Sequence, residues 1–272
     1  MHQVNWAESA LDYRACRYGG SRLLYRGPKK KLNDLGVAFL GGSETYGKFV
    51  ASPFPELVGD GLGETCVNLG CHNAGLDAII QDDTLVSICN SAKITVVQIM
   101  GAANLSNSFF TVHPRRNDRF IQASSMMERM FPDVDFMEFN YTHHLLAKMK
   151  RVSPEGYQHL VQNLQETWVV RMSQLISRLQ GKVILVWFAN QLPERQITEN
   201  EPFFVTRRML DRVKAKAMGC VEIAFSDEVS TLGTEGMHFL GHEHEAAKKM
   251  PNPMAHQEIA TALLPVIKNH MR

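Results

Sequence analysis

Three things are scarce in this chain, and each scarcity narrows what it can be. The five cysteines (Cys16, Cys66, Cys71, Cys89 and Cys220) are odd in number and show no Cys-x-x-Cys spacing. That argues against a disulfide framework and for reduced thiols packed as small hydrophobes. There is no excess of charge of either sign, with 29 lysines and arginines against 28 aspartates and glutamates. No bulk field recruits nucleic acid or an anionic membrane, so any anion recognition has to be local. No apolar run approaches the length of a membrane span, and Met1 to Arg17 carries Glu8, Asp12, Arg14 and Arg17 in place of an apolar core. The reading therefore predicts neither a secretory signal nor an anchor, and a cytoplasmic location. Internal repeats and low-complexity tracts are absent as well.

What is present suits a folded α/β protein. Apolar residues make up 44% and charged residues 21% of 272 positions, enough for a sizeable core and compatible with one domain over 1–272. Val37 to Leu40, Ile94 to Met100 and Lys182 to Phe188 are apolar, rich in β-branched residues and bounded by turn residues. They read as buried parallel strands, with Cys66 to Leu69 and Cys220 to Phe225 as weaker companions. Helical patterns lie between them, and this alternation predicts a three-layer α/β/α, flavodoxin-like doubly wound sheet. Ser153-Pro154-Glu155 starts a long helix that Gly181 ends, and Asn252-Pro253 starts a terminal one. Residues 1–35 read as an N-terminal extension packing a helix and a turn. The aromatic and methionine-rich stretch at about 105–150 reads as an insertion of helices and loops without a clear strand.

The most informative segment is Val37-Ala38-Phe39-Leu40-Gly41-Gly42-Ser43-Glu44-Thr45-Tyr46-Gly47. A buried strand runs into two glycines, a serine and the start of a helix. Open parallel sheets bind ligands at the C-terminal ends of their strands, and glycines permit the turn that lifts a side chain over that face. Ser43 is thereby a candidate nucleophile. Gly19-Gly20-Ser21 has no preceding strand and carries no such reading, so context and not the tripeptide is the signal.

Gly41 to Gly47 resembles the first block of the SGNH, or GDSL, hydrolase superfamily, with glycine where that family has aspartate. Asn68-Leu69-Gly70 is similar to its second block and Gly101-Ala102-Ala103-Asn104 to its third, one residue longer than usual. The resemblance implies an SGNH-type fold and Ser43 as nucleophile. It also implies an oxyanion hole built from Asn104 and a glycine N–H, either Gly70 or Gly75. Its C-terminal Asp-x-x-His block has two counterparts. Glu235-Gly236-Met237-His238 substitutes glutamate for aspartate, and Pro253-Met254-Ala255-His256 lacks the acid; His238 and His256 both stand as candidate bases. The clustered imidazoles of His238, His242 and His244 show only local spacing, and no metal or other cofactor is expected.

His113-Pro114-Arg115-Arg116-Asn117-Asp118-Arg119 follows the third block closely. His113, Arg115, Arg116 and Arg119 therefore read as an anion-recognising rim for an anionic substrate or an acyl donor such as coenzyme A. Phe109, Phe110 and Phe120 flank this loop as candidates for an apolar wall. The expected function is serine-dependent hydrolysis of an ester on a small molecule or saccharide. O-acyl transfer by the same serine, and an SGNH-like binding protein without catalysis, stand as alternatives.

Overall fold

A computed structural model describes residues 11–195 and 200–271. The strands are β1 (Val37–Gly41), β2 (Cys66–Gly70), β3 (Ile94–Gln98), β4 (Phe110–Val112), β5 (Phe120–Ala123), β6 (Lys182–Ala189) and β7 (Gly219–Ala224). Five of them form one sheet in the order β2-β1-β3-β6-β7, every neighbouring pair parallel. Numbered within that sheet the order is 2-1-3-4-5, the doubly wound arrangement.

Both faces of the sheet are covered, which is why its strands read as continuous apolar runs without alternation. Val37, Phe39, Val96, Ile184 and Val186 pack with Phe54, Val58, Ile259 and Leu263 of the helices Phe54–Leu62 and Pro253–Met271. The opposite-facing Ala38, Leu40, Val97, Leu185 and Trp187 pack with Leu76, Leu85, Leu164 and Trp168 of the helices on the other side. The long helix Pro154–Arg178 begins where Ser153 accepts a hydrogen bond from Gly156 N–H. The terminal helix begins where Asn252 accepts one from Ala255 N–H (3.0 Å). Both starts are side-chain caps of the kind those residues favour.

Of the N-terminal extension expected to pack a helix and a turn, residues 1–10 lie outside the described residues, and residues 11–35 contain no helix. They form an irregular arm in which Cys16 and Tyr25 exchange main-chain hydrogen bonds of 3.0 Å and Tyr25 bridges to Cys71. Gly19-Gly20 and Gly27-Pro28 interrupt every helical period there. The stretch at about 105–150 does contain strands, the antiparallel hairpin β4-β5, followed by the helices Ser125–Met130 and Thr142–Val152. Strands this short carry too few alternating positions to declare themselves. Phe109, Phe110 and Phe120 are buried in the core beneath the hairpin and line no open wall.

The chain leaves β1 over one face and β3 over the other. The ends of these neighbouring strands are therefore the switch point at which doubly wound sheets bind ligands, and Ser43 and Gln98 stand there. Among the described residues no helix is long and apolar enough to cross a membrane.

Candidate functional site

The serine turn is held by close backbone approach. A Cβ on Gly41 would lie 2.0 Å from Thr45 Oγ1 and 2.3 Å from Gln98 Oε1, and one on Gly70 would lie 2.2 Å from the main-chain nitrogen of Tyr46. Only glycine fits where β1 and β2 end against the turn. Gln98, the last residue of β3, then acts as the clamp. Its Oε1 accepts from Gly42 N–H (2.9 Å) and from Thr45 Oγ1–H (2.6 Å), while its Nε2 donates to Glu44 Oε2 (2.9 Å). Replacing it by leucine (Gln98→Leu) strips the acceptor from a buried N–H and a buried hydroxyl. The expected loss is about 1–3 kcal/mol, read as a lower urea midpoint at unchanged m-value.

Ser43 is half-buried at the start of a single helical turn, Ser43–Tyr46. Its hydroxyl has two partners. Oγ lies 3.0 Å from His72 Nδ1, and it accepts the main-chain N–H of Asn73 at 3.1 Å. Both partners come from the loop that follows β2, the strand beside β1. Asn73 has a positive φ of 59°, a left-handed conformation that asparagine tolerates and that turns its N–H toward the serine.

Asn117 and Lys48 hold that loop from its two sides. Asn117, fully buried, donates its main-chain N–H to Asn73 O (3.0 Å), and its Oδ1 accepts from Gly75 N–H (2.8 Å) and Ala78 N–H (3.1 Å). The arginine-bearing loop between β4 and β5 is thereby fastened directly to the serine's neighbours. The far side of His72 meets a cation, with Lys48 Nζ 3.3 Å from His72 Nε2 and 3.4 Å from Glu243 Oε1. Burial pushes the His72 imidazole down to about 4, and the charges of Lys48 and Arg116 push it the same way. The ring is neutral at pH 7.

The expected site residues separate into those that gather at Ser43 and those that do not. His256 does not. It is fully buried beneath the sheet, its Nδ1 accepting from Phe54 N–H (3.1 Å) and its ring stacked on Phe54 at 5.8 Å. It anchors the terminal helix to the helix Phe54–Leu62. His238 is half-buried, tied through its main-chain N–H to Phe49 O (2.8 Å), and its ring makes no hydrogen bond to Ser43. Glu235 is exposed and makes no hydrogen bond to His238. The imidazole at the serine is His72, which sequence blocks pass over because it follows β2 and not the C-terminal motif. The signal that was available is positional, since His72 lies just past the end of the strand adjacent to β1, where ligand-facing residues of such sheets collect.

The oxyanion expectations also divide. Gly70 N–H donates to Asn68 Oδ1 (2.9 Å) and Gly75 N–H to Asn117 Oδ1, so both glycine amides are engaged within the protein. Asn104 is half-buried and its Oδ1 accepts from Thr142 Oγ1–H. That orients the side-chain amide and leaves Nδ2 without a hydrogen-bond partner among the described residues. Its neighbour Ser106 is fixed in turn, donating its N–H to the buried carboxylate of Asp77 (2.7 Å), which also pairs with Arg171 (3.1 Å). Of the basic rim, His113 organises the loop, its Nδ1 accepting from the N–H groups of Arg115 and Arg116 (3.2 Å each). Arg115 and Arg119 are exposed, the latter over the Tyr141 ring. Arg116 pairs with Asp118 (3.3 Å) and is the one rim arginine whose charge acts on His72. Among the described residues no group of His, Cys, Asp and Glu side chains is arranged to hold a metal ion.

Fold and site together define a class, a parallel α/β protein that pairs a serine hydroxyl with a neutral imidazole at the C-terminal edge of its sheet. The chain belongs to the family described as a domain of unknown function, DUF6473, whose model matches residues 1–271. No curated protein matches it.

Proposed function

We propose that the chain is a serine-dependent ester hydrolase of the SGNH type, acting on an O-acyl small molecule or saccharide. The observation that carries the reading is the 3.0 Å contact between Ser43 Oγ and His72 Nδ1 on the ligand-binding edge of the sheet. A neutral imidazole at that distance takes the hydroxyl proton as Oγ attacks the acyl carbon when Nδ1 is its unprotonated nitrogen. The Asn73 N–H, already on Oγ, favours the developing alkoxide. For the oxyanion, the candidates are the Asn104 side-chain amide and the main-chain N–H of Ser43. The latter opens the helical turn and has no hydrogen-bond partner among the described residues. Transfer of the acyl group to an alcohol in place of water would share every step up to the acyl-enzyme.

The test is covalent. A fluorophosphonate probe is expected to label one residue, Ser43, as mapped by peptide mass spectrometry, and to leave Ser43→Ala unlabelled. Wild-type protein that stays unlabelled, with no turnover of short acyl esters, would return the chain to the binding-protein alternative.

A further inference from the structure

The imidazole beside Ser43 meets a cation at its far nitrogen, the side where a serine triad presents a carboxylate. Lys48 Nζ approaches His72 Nε2 at 3.3 Å. An ammonium group has donors only, so this contact uses the Nε2 lone pair and leaves the ring proton on Nδ1. Nδ1–H then donates to Ser43 Oγ, which also accepts from Asn73 N–H. In this state the hydroxyl oxygen accepts twice, and Nδ1 has no lone pair with which to remove its proton.

The charges around the ring point the same way. Of the nearby carboxylates, Glu243 is held by Lys48 (3.4 Å) and by Leu240 N–H (3.2 Å), and Asp118 pairs with Arg116 through Oδ2 (3.3 Å) while its Oδ1 is buried without a hydrogen-bond partner among the described residues. An imidazolium formed in turnover would face the charges of Lys48 and Arg116, opposed by Glu243, which is itself paired with Lys48. Arg116 also keeps its Nε buried without a hydrogen-bond partner. Asn117, the next residue, is bonded to Asn73 O, so Arg116 is held beside the His72 loop.

We propose that the ester acted on at Ser43 carries an anionic group, a carboxylate, sulfate or phosphate, that draws Lys48 off His72 and stands beside the imidazole as its counter-charge. This rests on Ser43 being the nucleophile. With Lys48 withdrawn, the ring exchanges protons with water, Nδ1 giving one up and Nε2 taking one that faces the anion. Nδ1 then takes the Ser43 proton as the Oγ–C bond forms and the carbonyl π pair moves to oxygen. Collapse of the tetrahedral species breaks the ester C–O bond, and the leaving alkoxide takes the proton from Nδ1. Water repeats the sequence and frees Ser43. Arg116 is the second contact for the anion.

The experiment compares two esters with the same leaving group, the mono-4-nitrophenyl ester of adipic acid and 4-nitrophenyl hexanoate, each corrected for spontaneous hydrolysis. In wild type, kcat/KM is expected to favour the anionic ester by about 10-fold or more. In Lys48→Met, turnover of the neutral ester rises and the ratio falls toward one; Lys48→Gln serves should the methionine variant fail to fold. Nitrogen-15 NMR of His72 supplies a readout independent of hydrolysis, with the proton on Nδ1 in the resting wild type and on Nε2 in Lys48→Met. A wild-type ratio of one or below, a ratio that survives loss of Lys48, or an Nε2–H ring in the resting wild type overturns the proposal. A Ser43 that fluorophosphonate labels while the ratio is one removes this inference alone; a Ser43 that is never labelled removes the hydrolase reading and this inference with it.

Discussion

Ser43→Ala and His72→Gln, each alone, are expected to slow hydrolysis of 4-nitrophenyl acetate by a factor on the order of 10³ to 10⁶, and the double variant by little more than either. The two groups act as a unit. Without the hydroxyl there is no acyl-enzyme, and without the imidazole no base among the described residues is hydrogen-bonded to Ser43 Oγ, whose other partner there is the Asn73 N–H. His238→Ala and His238→Gln test the alternative base and are expected to change kcat by less than about threefold, a surface-type effect. The pH profile separates the candidates further. A base works when neutral, so kcat/KM falls as pH drops through its value in the free enzyme. For His72 that value is pushed to about 4 by burial first and then by Lys48 and Arg116, so activity persists well below pH 6. Removing the Lys48 charge should move the acid limb upward. An acid limb near the ordinary histidine value of about 6.5, unmoved by Lys48→Met, would exclude His72 as the base.

The second large effect concerns stability. Burial, with a smaller contribution from the charge of Arg26, holds the His256 imidazole down at about 3. Its Nδ1 accepts from Phe54 N–H, so the neutral ring carries its proton on Nε2, which is buried without a partner. The sign follows from which state binds protons. Below about pH 6.5 the unfolded chain protonates this histidine while the native protein does not, so native stability is complete above that pH and declines as pH falls toward 3. Linkage gives a slope of about 1.4 kcal/mol per pH unit from this residue, about 3 kcal/mol by pH 4. His72, also depressed, adds to the same decline. His256→Asn places a side-chain oxygen where Nδ1 was and removes the titration. At pH 7.5 it should cost about 1–3 kcal/mol for lost packing on Phe54. Between pH 6 and pH 4 its stability should fall less steeply than wild type by about 1.4 kcal/mol per unit. Urea unfolding at four or five pH values measures both numbers; parallel slopes for variant and wild type would show that His256 does not titrate in this way.

His256 also shows how a motif can be legible and misleading. Its position at the start of a terminal helix was readable from Asn252-Pro253, and the helix is there. What the pattern of letters does not contain is the direction of a side chain relative to a partner more than two hundred residues away, and Phe54 is that partner. His72 is the converse case. No block marks it, yet the parallel register that sets Gly41 against Gly70 brings the chain after β2 alongside the chain after β1. Asn117 went unremarked within a loop noted for its arginines, because its work is done by hydrogen bonds to Asn73, Gly75 and Ala78.

The sequence by itself determined the five parallel strands, the two capped helices and the placement of Ser43 on a strand-to-helix turn. Each follows from local chemistry: apolar runs that need burial on both faces, caps that satisfy their own helix, and glycines where no Cβ fits. Tertiary structure alone decided which imidazole meets the serine, which glycine amides are already engaged, and that a lysine rather than a carboxylate meets the far nitrogen of the ring. Those are properties of distance and direction between segments that the chain keeps apart, and only the ordering of the strands in the sheet brings them within a hydrogen bond of one another.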